Sequence, residues 1–205
     1  MLKEILKSVI GHFEMDDAKD RIRVIAENDR NTEGWFKAEL MFLLQQEPGL
    51  EDWYPEVGHD TDAHSKKCDF VLRFYEEGHP KLLGIEVKTA FVGKQIKRTL
   101  DGISTEFEAS WVGLTSYKQG IADDGKKLAS MDVDYKMCLV FVYGKSSTIW
   151  RFYGKNDKKD ICKEKIHESL QEIGIWNEYI SEDIFKDSNP NDGEMVLHVI
   201  AYVEG

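Results

Sequence analysis

The chain has 205 residues, of which 41% are hydrophobic and 32% charged, and it carries a formal net charge of -11. That length fits one domain able to bury a core, and the composition is that of an ordinary globular protein. No apolar run approaches the roughly 20 residues that span a bilayer, and Met1-Leu2-Lys3-Glu4-Ile5-Leu6 sets charges among its apolar positions, unlike a secretory leader. The expectation is therefore one cytoplasmic domain over residues 1–205 that does not bind membranes.

Leu2, Ile5, Leu6, Val9, Ile10 and Phe13 recur at helical spacing, and Ala18, Ile22 and Ile25 predict a second helix closing near Asn28. Asn31-Thr32-Glu33 offers an N-cap for a third helix over 33–46, which Glu47-Pro48-Gly49 ends. A polar loop follows, with His59, Asp60, Asp62 and His64. Residues 68–75 then alternate like a strand, 76–80 read as a turn, and 81–90 as the returning strand. An irregular stretch over 91–109 leads to a helix at 111–122, strands at 135–143 and 147–153, and a helix at 160–173. A weak strand at 175–180 and a strong one at 195–203 close the chain. Helices first, then strands, then mixed units predict an α/β fold with a mixed central sheet flanked by helices.

Cys68, Cys138 and Cys162 are odd in number and far apart, without the spacing of a zinc site, and read as buried thiols of a reducing compartment. The acidic residues are more informative. Glu86 and Lys88 are two apart on a strand and share a face, while Leu83, Ile85 and Val87 occupy the other. A turn spanning 76–79 puts Asp69 opposite Glu86; a two-residue turn at 78–79 puts it opposite Lys88. Either register brings the three together. Two carboxylates so placed repel unless something positive lies between them, and oxygen ligands favour magnesium or manganese. A cross-strand salt bridge on a solvated face is the competing reading. Glu39 has Trp35, Phe36, Phe42 and Leu43 at three and four residues' distance, so it too is expected on an apolar face, bound to a cation or paired to an Arg or Lys of another helix.

Glu39 on a helix, Asp69 opening a strand and Glu86-Val87-Lys88 on the next, 17 residues on, resemble the PD-(D/E)xK nuclease superfamily over residues 33–120. Cys68 stands at the position of the family's nominal proline. The resemblance implies a restriction-endonuclease-like fold and a Mg2+- (or Mn2+-) dependent phosphodiester hydrolase acting on nucleic acid, with DNA the expected substrate. Asp69, Glu86 and Glu39 would hold the metal, and Lys88 would assist the attacking water. Lys94, Lys97 and Arg98 in the following loop are candidates for phosphate contact, as are Tyr117, Lys118 and Gln119 on the next helix; a solvated loop and an ordinary amphipathic helix are the alternatives. The charge of -11 argues the other way, because affinity for phosphates usually needs a basic surface. It keeps open a non-catalytic, immunity-type protein on the same scaffold that binds a basic partner, and a homodimer.

Overall fold

Apolar spacing organises the N-terminal third. A computed structural model of the chain describes residues 2–28, 33–58, 67–91, 98–100, 103–105, 112–145, 167–168, 170–171, 176–189 and 193–204. Three helices open it: α1 (Leu2–Glu14), α2 (Asp16–Asn28) and α3 (Glu33–Leu44). Strands β1 (Leu50–Gly58), β2 (Lys67–Glu76) and β3 (His79–Phe91) follow, then a short ribbon of β4 (Arg98–Leu100) and β5 (Ile103–Thr105). Helix α4 (Val112–Ala129) leads into β6 (Tyr135–Lys145), and β7 (Trp176–Asn189) and β8 (Gly193–Glu204) complete the order.

The result is the expected mixed α/β architecture. Six strands form one sheet in the order β1-β2-β3-β6-β8-β7. All neighbours are antiparallel except β3 and β6, which run parallel. A parallel pair needs a crossover, and α4 lies within the one joining β3 to β6.

The hairpin follows its sequence closely. Glu76 pairs with His79 and Phe70 with Ile85, so Glu77 and Gly78 form a two-residue turn. Both have positive φ, 53° and 81°, as the mirror-image turns that suit a twisted hairpin require. Of the two registers considered, the ladder follows the first as far as its last pair, Phe70–Ile85, and Asp69 and Glu86 are the next residues beyond it.

Strand alternation then divides the core in two. Phe70, Leu72, Ile85, Val87, Leu139, Phe141, Val199 and Ala201 face α1, α2 and α3. Phe36 of α3 stacks on Phe141 at 4.3 Å and Phe13 of α1 meets the same ring edge-on at 5.2 Å. The opposite face carries Val71, Ala90, Cys138, Val140, Ile200 and Tyr202 under Ile121 and Leu128 of α4. A Cβ on Gly84 would lie 3.0 Å from Leu128 Cδ1, so the bare glycine lets α4 come close to β3.

Several expectations are corrected. The polar segment after α3 contains β1, an edge strand in which Pro55 stands opposite Phe70. An edge tolerates proline because one side of the strand donates nothing to the ladder. Helix α4 runs to Ala129, well beyond 122, and β7 reaches Asn189, well beyond 180. The irregular stretch at 91–109 includes β4 and β5. The strand expected at 147–153, Cys162, and the His59–His64 loop lie outside the described residues, as does most of the helix expected at 160–173. No described helix is long and apolar enough to cross a membrane.

Candidate active site

Asp69 and Glu86 lie one residue beyond Phe70–Ile85, the last pair of the β2–β3 ladder, and Lys88 follows two residues on along β3. Glu86 is 2% exposed. The β2–β3 ladder ends at Phe70–Ile85, and Asp69 Oδ2 accepts a hydrogen bond from the Val87 backbone N–H at 2.8 Å just beyond it. The carboxylate thereby caps an amide that the ladder leaves unpaired, which fixes its own orientation.

Two helices close on this rung, one from each side. From α3, Lys37 Nζ lies 2.7 Å from Asp69 Oδ1 and 2.7 Å from Glu33 Oε1. From α4, Lys127 Nζ lies 2.7 Å from Glu86 Oε1 and 3.1 Å from Asp124 Oδ1. Lys88 Nζ joins the two helices, 2.7 Å from Asp124 Oδ2 and 3.4 Å from Glu33 Oε2. Four carboxylates (Glu33, Asp69, Glu86, Asp124) thus alternate with three ammonium groups (Lys37, Lys88, Lys127).

One oxygen stands outside this pairing. Glu86 Oε2 is buried and has no hydrogen-bond partner among the described residues. Burial, and then the charge of Asp69, push the Glu86 carboxyl up to about 8, against the bond from Lys127. Burial also pulls on Lys88, Lys37 and Lys127, but their carboxylate partners outweigh it and all three end above the usual lysine value. Lys88 is thus held in its charged form by Asp124 and Glu33. Burial would raise the Asp124 carboxyl, but Lys88 and Lys127 bring it below its ordinary value.

The structure brings together Asp69, Glu86 and Lys88, and it places Glu39 elsewhere. Glu39 Oε2 lies 2.7 Å from His12 Nε2, and Glu39 Oε1 lies 3.1 Å from Arg21 Nε, so it ties α3 to α1 and α2. The alternative of a Glu39 paired to another helix is the one realised. The reason is angular: two residues turn a helix by about 200°, so Lys37 and Glu39 leave α3 on nearly opposite sides. The helix carboxylate at the hairpin is Glu33. Lys94 and Lys97 lie outside the described residues. Arg98 falls on β4 and Tyr117, Lys118 and Gln119 on α4, with their side chains outside the described part.

Sequence reasoning missed Glu33, Lys37, Asp124 and Lys127. The four-residue spacing of Glu33 and Lys37 on one helix is the signal that could have found two of them. Among the described residues, no three acidic, His or Cys groups converge closely enough to hold a metal as they stand, because lysines sit between the carboxylates. A hard cation nevertheless suits the donor set. Asp69 and Glu86 offer oxygen donors just beyond the last pair of the β2–β3 ladder, and the second carries a buried oxygen without a hydrogen-bond partner among the described residues. Compared with family models, curated proteins and solved structures, the chain matches none.

Proposed function

We propose that this chain is a metal-dependent nuclease of the PD-(D/E)xK type, hydrolysing phosphodiester bonds with magnesium or manganese, with DNA as the expected substrate. The observation that carries the reading is that Asp69 and Glu86 flank the end of the β2–β3 ladder close enough for the Asp69 charge to act on Glu86, with Lys88 two residues on and a bare buried oxygen on Glu86. A mixed sheet flanked by helices, with the motif on its hairpin, supports a restriction-endonuclease-like fold.

In this reading Asp69 and Glu86 hold the ion, and Glu33 takes the part first given to Glu39 as the helix carboxylate beside them. The bound ion supplies an activated water and neutralises phosphate charge. The chain's own residues supply the rest. The Val87 amide orients Asp69, and Asp124 and Glu33 hold the Lys88 ammonium charged and in place. A fixed cation there stabilises negative charge developing on a phosphodiester.

The test is cleavage of single-stranded, duplex and branched DNA and RNA with and without magnesium, with Lys88→Ala and Asp69→Asn alongside. Magnesium-dependent cleavage that both substitutions reduce by about a hundredfold or more is the expected result. The charge of -11 favours a second reading, a non-catalytic domain that binds a basic protein. It would show no cleavage under any condition, together with salt-sensitive binding to a basic partner.

A further inference from the structure

We infer that Lys37 and Lys127 are tethered counter-ions of the metal-free site, and that a divalent cation enters by displacing them from Asp69 and Glu86. The inference rests on the metal-site reading above and deepens it.

The two lysines are used in the same way on opposite sides. Each reaches one hairpin carboxylate at 2.7 Å, Lys37 to Asp69 and Lys127 to Glu86. Each also keeps a second carboxylate on its own helix, Glu33 for Lys37 at 2.7 Å and Asp124 for Lys127 at 3.1 Å. A lysine released from the hairpin therefore still has a partner and is not left as an unpaired partly buried charge, which would be costly. The free oxygen of Glu86 offers the incoming ion its first hold, before Lys127 has moved.

Electrostatics then forces the exchange. A divalent ion and an ammonium sharing one buried carboxylate repel each other strongly, because little water screens them. The ammonium is the group that can leave, since a lysine stem repositions its charge by rotation while the helix stays still. The backbone is held: Leu128, fully buried next to Lys127, packs against Gly84 of β3, and Phe36, next to Lys37, is stacked on Phe141. Side-chain movement is thus the easier route than displacement of either helix.

The experiment is calorimetric titration of Mn2+ into the metal-free wild-type chain, Lys37→Gln and Lys127→Gln. Each variant is expected to bind Mn2+ about fivefold or more tightly than wild type, because its internal competitor is gone. A second measurement needs no folded variant. Amine acylation of the wild type, read by mass spectrometry, should speed up severalfold at Lys37 and Lys127 on adding Mn2+, while Lys136, paired to Glu204 at 2.8 Å, stays constant. Mn2+ binding that is unchanged or weaker in a variant, or acylation that does not respond, overturns the counter-ion role of that lysine and leaves the metal site standing. No stoichiometric Mn2+ binding by any form overturns both.

Discussion

At Glu86 the chain buries a carboxylate against another carboxylate, and the consequence is a dependence of stability on pH. Its folded-state value of about 8 lies above the ordinary 4.5, so the folded form holds a proton that the unfolded form releases. Stability from this group is fully present below the unfolded value and is lost as pH rises from about 4.5 to about 8. Glu86→Gln removes the titration, so the urea midpoint of the wild type should fall relative to the variant across that window, by the equivalent of about 2–5 kcal/mol. A difference that stays constant with pH would reject the assignment. Glu39 makes the contrasting case. Its contacts to His12 and Arg21 hold three helices together, so Glu39→Ala should cost about 1–3 kcal/mol in denaturant unfolding. Divalent-ion affinity should be unchanged in that variant, and a large loss there would return Glu39 to the metal site.

Among the elements, the hairpin is the one that its own residues specify most fully. Alternation over 68–75 and 81–90 fixed which faces meet, and Gly78 accepts the left-handed backbone that the turn needs. Glu77 does not accept it well, having a Cβ at φ 53°. Glu77→Asn should therefore stabilise the protein by about 0.5–1 kcal/mol in thermal or urea unfolding, since Asn-Gly suits this turn. Other elements were less legible for physical reasons. β1 carries Glu51, Asp52, Pro55 and Glu56 because an edge strand need not be apolar on both faces. The last turns of α4 hold Asp123, Asp124, Gly125, Lys126 and Lys127, which read as a polar turn until tertiary packing keeps them helical. Those turns carry Asp124 and Lys127, so the element boundary that was missed also hid half of the residues that close the site. α3 was legible in part: of the apolar neighbours of Glu39, Phe36 is fully buried and Trp35 and Leu43 pack on the core, whereas Phe42 is 60% exposed.

For the molecule as a whole, the question is what a net charge of -11 does around a cluster whose own charges nearly cancel. With Glu86 protonated, Glu33, Asp69 and Asp124 stand against Lys37, Lys88 and Lys127, and the site is neutral. With Glu86 ionised, one negative charge is in excess in a pocket that water screens poorly. On the proposed metal-site reading, a divalent ion would be drawn by the acidic molecule in general and held by this rung in particular, and the two attractions can be separated. An ion that binds the native site and not the unfolded chain stabilises by mass action, about 2.7 kcal/mol at a hundredfold excess over its dissociation constant. Millimolar magnesium or manganese should accordingly raise the melting temperature of the wild type by several degrees. Asp69→Asn keeps the shape of the side chain and can still accept from the Val87 amide, so the fold should survive. It removes one ligand charge and relieves Glu86 of its largest neighbouring repulsion, so the metal-free variant should melt no lower than the wild type. Its magnesium shift should vanish together with any cleavage. Equal shifts in both proteins would place the ion on the acidic surface at large, and the non-catalytic reading would then be preferred over the nuclease.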